Sequence, residues 1–213
     1  MTGSDDNNQR SAGDLLNYII SKTRQRPGKL QYDQAALLVM DMQNYFLNKS
    51  SHAYIPAAPG IIPGILSLIE RFKKAHRPVI FTRHLNTPAN AGMMNKWWAD
   101  TIQESSPMSK ISDKFDISQG IIIRKNQYDA FYNTTLDVTL KQHYVKQVVV
   151  TGVMTNLCCE TTARAAFVHG YEVFFPVDGV ATYDDECHKS TLLNLAYGFA
   201  HIILMDDLIG GQQ

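Results

Sequence analysis

The chain has 213 residues, with 20 basic and 20 acidic side chains and a formal net charge of zero. That balance argues against a general nucleic-acid binder, which needs a clustered positive surface, and it leaves no polybasic membrane anchor. No apolar run approaches the roughly 18 to 20 residues that a bilayer helix requires, and the length suits one domain with a single large core.

In chain order, Met1 to Arg10 are almost devoid of apolar side chains. The expectation is a disordered tail over residues 1–12 followed by one domain over 13–213. The tail has no basic-then-apolar secretory pattern. The three cysteines, with Cys158 and Cys159 adjacent, do not suit a disulfide framework and read as reduced thiols, so a cytoplasmic protein is expected. Leu15 to Ile20 have helical spacing, and Arg24 to Tyr32 read as an extended arm around Pro27 and Gly28.

Six short apolar runs then read as strands buried in a parallel sheet: Ala35–Asp41, Pro78–Thr82, Gly120–Ile123, Gln147–Thr151, Tyr171–Pro176 and His201–Met205. Between them, helical spacing recurs at Ile61–Ala75, around Met93–Trp98, and at Thr134–His143, Leu157–His169 and Asp185–Ala200. Alternating strand and helix predicts an α/β fold, a mainly parallel six-stranded sheet with right-handed crossovers. The irregular stretch 86–119 is long enough to form a lid or pocket wall.

Ligands of such sheets sit beyond the carboxyl ends of the strands. The residues there are Asp41 with Gln43, Arg83 with His84, Arg124 with Lys125, the run Gly152 to Cys158, and Asp178. Cys158 falls in the first turn of a helix whether Thr155 or Asn156 caps it, where the helix dipole favours thiolate. The alternative is a small buried apolar residue. Cys159 and Cys187 read as structural. Asp41, ending a buried strand, requires partners or a function, an N-cap or a salt bridge being the plain alternative. Lys125 is a candidate partner for Asp41 and for the thiolate. A cysteine nucleophile needs a base and something to orient that base, and these three strand ends supply such a set.

The segments ALLVMDMQNYFL, IIIRKNQYDAFYNTTLDVTL and VVVTGVMTNLCCETTARAAFVHGYEVFFPVDGVAT resemble the three signature blocks of the isochorismatase-like, or cysteine hydrolase, superfamily, over about residues 30–209. The resemblance implies a Rossmann-like three-layer sandwich and a catalytic triad of Asp41, Lys125 and Cys158. It also implies a cis peptide between Val153 and Met154, and an oxyanion hole from the N–H groups of Met154 and Cys158. Members with this triad cleave C–N bonds of small amides, carbamoyl or ureido compounds, and family precedent suggests a homo-oligomer, dimer or tetramer. Isochorismatases, vinyl ether hydrolases with an acid Asp, resemble the GMMNKWWAD region but have glycine in place of Cys158. Nicotinamidases bind a metal through an Asp-x-His pair that is missing here, and no Gly-rich phosphate loop is present. The expectation is therefore a thioester amidohydrolase with no metal and no cofactor, a vinyl ether hydrolase or a non-catalytic binding protein being the rivals. Expected substrate contacts are Gln43, Tyr45, Phe46, Arg83, His84, Trp97, Trp98, Tyr128 and Phe131, with Arg83 or Arg124 meeting a substrate carboxylate. The aromatic residues could equally be core or subunit interface.

Overall fold

The computed structural model describes residues 11–23 and 28–210. The expected tail up to Arg10, and Arg24 to Pro27 of the expected arm, lie outside the described residues. Helix α1 (Ala12–Lys22) opens on a capping box: Asp14 N–H donates to Ser11 Oγ, and Ser11 N–H to the Asp14 carboxylate. There follow β1 (Ala35–Met40), α2 (Asn44–Leu47), α3 (Ala58–Lys74), β2 (Val79–His84), α4 (Met94–Trp97) and β3 (Ile121–Lys125). The second half runs α5 (Leu136–Gln142), β4 (Gln147–Val153), α6 (Glu160–Val168), β5 (Glu172–Pro176), β6 (Val180–Ala181), α7 (Asp185–Gly198), β7 (His201–Ile203) and α8 (Met205–Gly210). A π-helical turn, Thr155–Cys159, joins β4 to α6.

The sheet is parallel and has seven strands in the order β3-β2-β1-β4-β5-β7, with β6 pairing β4. The extra strand is β6, two residues long, too short to carry a periodicity. A second departure concerns β3. It is an edge strand, so Ile122 faces outward instead of being buried on both sides. Helix α3 starts before the expected Ile61 because Pro59 occupies the first turn, where its missing N–H costs nothing.

Period-two side-chain alternation divides the core into two layers. Ala36, Leu38 and Met40 of β1 pack with α1, α5, α6 and α7 residues such as Ile19, Leu140, Ala163 and Leu192. Ala35, Leu37 and Val39 pack with Ile65, Leu68 and Phe72 of α3 and Leu208 of α8. This is a three-layer sandwich. Among the described residues no helix is long and apolar enough to cross a membrane.

Candidate active site

The strand order brings the catalytic candidates together. β1 lies between β2 and β4, and β2 lies beside β3, so the residues ending these strands are neighbours along one rim. His84 pairs in register with Lys125, and Met40 with Gly152. Gly152 has φ +107°, and a Cβ there would overlap the Met40 carbonyl oxygen, so only glycine allows β1 and β4 to approach this closely next to Asp41.

Lys125 is the centre of the site. Its Nζ lies 2.7 Å from Asp41 Oδ2, 3.2 Å from Cys158 Sγ, 3.1 Å from His84 Nδ1 and 3.0 Å from the Gln127 carbonyl oxygen. Asp41 has φ +48° and is held by Thr82, whose Oγ1 accepts from the Asp41 N–H at 2.9 Å while its hydroxyl donates to Oδ1 at 2.5 Å. Oδ2 has the Lys125 ion pair and no well-aligned hydrogen bond, which leaves it the oxygen open to a proton. His84 Nε2 is 2.8 Å from Asn86 Oδ1, and Asn86 Nδ2 donates to the Asn126 carbonyl. With Nδ1 accepting from the ammonium, the tautomer carries its proton on Nε2.

Burial would raise the Asp41 pKa, but the Lys125 ammonium outweighs it and holds the carboxyl below its ordinary value. Burial opposes the Lys125 charge too, yet Asp41 outweighs it and keeps the amine protonated. His84, desolvated and beside the ammonium, falls to about 4 and is neutral. The Cys158 thiol is pushed up to about 12, first by burial and then by the Asp41 charge. This corrects the expectation of a thiolate favoured by a helix N-terminus. The turn around Cys158 is a π turn, and burial of the sulfur together with the Asp41 charge outweighs the Lys125 ammonium, which favours the thiolate. The resting set is thus carboxylate, ammonium and thiol.

Asp41, His84 and Cys158 offer ligand atoms within 4.8 Å of one another, the one metal-type grouping among the described residues. The Lys125 ammonium contacts all three, so these residues do not fit a metal ion: the place of the cation is taken by a side chain.

Cys158 faces a cavity of about 340 Å³ whose lining includes the expected Tyr45, Phe46, His84, Trp98, Tyr128 and Met154. Trp98 Nε1 donates to Tyr128 OH at 2.8 Å, tying two of its aromatic walls together. The Val153–Met154 peptide is cis. A more open hollow of about 550 Å³ shares Tyr45, His52 and Trp98 to Ile102 with this cavity, and none of Asp41, Lys125 and Cys158 lines it.

Four expected substrate contacts are not in this cavity. Gln43 is buried and spent on backbone, donating to the His84 and Ser109 carbonyls and accepting from the His84 N–H. Arg83 donates to Ser109 and pairs with Glu104, which also takes Arg124 at 2.9 Å, and neither guanidinium lines the cavity. Phe131 stacks on His169 at 4.6 Å within the core. Trp97 is 74% exposed and points away. The cavity instead uses Asn86, Met94, Ile102, Leu157 and Tyr183, together with His52 and Asp100, which hydrogen-bond to Tyr45. Asn86, two residues past β2, was within reach of the strand-end rule. Tyr183 follows the strand that carried no pattern.

Residues 35–207 match the family profile described as Isochorismatase domain. The chain belongs to the isochorismatase family. This isochorismatase-family chain is 42% identical over 179 residues to Nicotinamidase 3 of Arabidopsis thaliana, covering 82% of this chain and 86% of that one. A cysteine hydrolase structure from Pseudomonas syringae pv. phaseolicola superposes with a TM-score of 0.85 at 24% identity, over 88% of this chain and 96% of the other, a likeness of fold. A pyrazinamidase of Pyrococcus horikoshii, solved with zinc, matches with a TM-score of 0.72 at 25% identity, covering 80% and 99% of the two chains. The family and these neighbours are hydrolases.

Proposed function

We propose that the protein hydrolyses the C–N bond of a small, uncharged aromatic carboxamide through a thioester on Cys158. The observation that carries this reading is the contrast between the buried Asp41–Lys125–Cys158 cluster and the cavity above it, which has aromatic and aliphatic walls and no lysine or arginine among its lining residues. A flat neutral amide suits such walls. A substrate carboxylate would find no cation to pair with. The resemblance to proteins named nicotinamidase and pyrazinamidase supports the same substrate class.

Because the resting sulfur is a thiol, its proton passes to Asp41 Oδ2 as the carbon–sulfur bond forms. Lys125, still charged, balances the negative charge as it moves from Asp41 to the tetrahedral intermediate. The N–H groups of Met154 and Cys158 receive the oxyanion, each contributing about 2.7 to 4 kcal/mol to the transition state. Protonated Asp41 then gives its proton to the departing ammonia. Water, deprotonated by the same carboxylate, cleaves the thioester to the acid and restores the thiol.

The test is ammonia release from nicotinamide, benzamide and carbamoyl amino acids by wild type and Cys158→Ala. Release from the aromatic amides that disappears in the variant is expected. Turnover confined to the carboxylate-bearing compounds would overturn the substrate class, and full activity in Cys158→Ala would overturn the nucleophile. Vinyl ether hydrolysis lost in Asp41→Asn but kept in Cys158→Ala would favour the acid-catalysed rival.

A further inference from the structure

The turn that carries Cys158 is gripped from behind by α7. Thr155 Oγ1 lies 3.0 Å from His188 Nδ1, and beyond the nucleophile Glu160 Oε2 accepts from Thr191 Oγ1 at 2.7 Å. His188 and Thr191 are three apart on one helix and so share a face. Two rungs of α7 therefore hold the turn at positions that bracket Cys158. A third hold comes from Thr182, whose hydroxyl donates to Asn156 Oδ1 at 2.8 Å. Inside the turn the N–H groups of Leu157 and Cys159 both donate to the Met154 carbonyl, each at 3.1 Å. The segment is thus wound around one oxygen, in a π geometry that recurs at functional sites.

Thr155 is fully buried, so its hydroxyl depends on a protein partner. Neither Thr155 nor His188 lines the substrate cavity. Burial lowers the His188 pKa, and the ring also hydrogen-bonds the Val177 backbone. The neutral imidazole offers one acceptor and one donor, as these two neighbours require.

We propose that His188 is a positioning residue: acting through Thr155, it fixes the first half of the nucleophile turn and so the direction in which Cys158 Sγ faces Asp41 and the substrate. This rests on the reading of Cys158 as the nucleophile.

The test measures two things on the full chain: the rate at which iodoacetamide alkylates Cys158, followed by peptide mapping, and kcat and KM for nicotinamide. Alkylation needs no knowledge of the natural substrate. His188→Leu and Thr155→Val remove the contact with little change in volume, whereas His188→Asn places an amide near the Nδ1 position and Thr155→Ser keeps the hydroxyl. Both disruptive variants are expected to slow Cys158 alkylation and to lower kcat about tenfold with KM within about twofold, since small misplacements of a reacting group act on kcat. The two conservative variants recover most of the loss. The double variant His188→Leu/Thr155→Val is expected to be no worse than the weaker single one, because both delete the same contact. Alkylation rates and kcat near wild type in folded disruptive variants would overturn the proposal, as would equal losses in disruptive and conservative variants. Activity surviving in Cys158→Ala overturns the nucleophile itself, a separate failure.

Discussion

The Lys125 ammonium and the Asp41 carboxylate meet at 2.7 Å with neither side chain exposed to solvent. Removing one partner of a buried pair strands the other charge, at a cost of about 3 to 5 kcal/mol. Lys125→Met is therefore expected to lower the urea midpoint strongly and to abolish turnover. Asp41→Asn/Lys125→Met should recover part of the stability and none of the turnover, and additive destabilisation would show that the two charges are not coupled.

Thr82 holds Asp41 through both its backbone N–H and Oδ1. Thr82→Val keeps the shape and removes the hydrogen bonds that favour the ionised carboxylate. The expected result is about a tenfold fall in kcat/KM with the acid limb of the pH profile moved upward. An unmoved acid limb would show that Thr82 does not set the ionisation of Asp41.

His84 is neutral in the fold with a pKa of about 4, against an ordinary value of 6.5. Below pH 6.5 the unfolded chain takes up a proton that the folded chain refuses, so stability is fully present above 6.5 and declines as pH falls towards 4. The amount is on the order of 3 kcal/mol, read as a falling urea midpoint between pH 7 and 4.5. Asp41 stays ionised through this window, so turnover per folded molecule should hold to pH 5. His84→Gln is expected to flatten the stability profile in part, since His188 is shifted in the same direction.

Trp98 lines the cavity and Trp97 faces solvent. Trp98→Ala is expected to raise KM for an aromatic amide about tenfold or more, and Trp97→Ala to leave it unchanged. A larger effect at Trp97 would place the substrate elsewhere.

The place of a metal among Asp41, His84 and Cys158 is filled by Lys125. Dialysis against EDTA is therefore expected to leave turnover intact. Loss of activity that zinc restores would reveal a site built from other residues.

The grouping of Asp41, Lys125 and Cys158 was legible because Asp41 directly follows β1, Lys125 ends β3 and Cys158 lies in the turn after β4, and the family blocks point to the same three positions. The sheet was legible for the same reason, apart from two-residue β6, which holds its place by pairing with β4. Substrate contacts were less so. Gln43, Arg83 and Phe131 stand at plausible positions along the rim, but side-chain direction decides whether a rim residue meets the ligand or the neighbouring loop. His188 was out of reach entirely. It lies on a helix whose only local signal is packing, and its link to Thr155 spans two elements that no spacing rule joins.

The pairing of β1 with β4 joins segments far apart in the sequence, with Ala35 opposite Gln147. Long-range pairing of this kind is slow, because the chain loses loop entropy before any contact forms. Asp41 and the Cys158 turn meet only when that central ladder has closed, and Lys125 joins them only once β2 and β3 have added to it. In a refolding experiment the recovery of turnover should therefore trail the recovery of secondary structure, which makes catalysis a late reporter of native assembly.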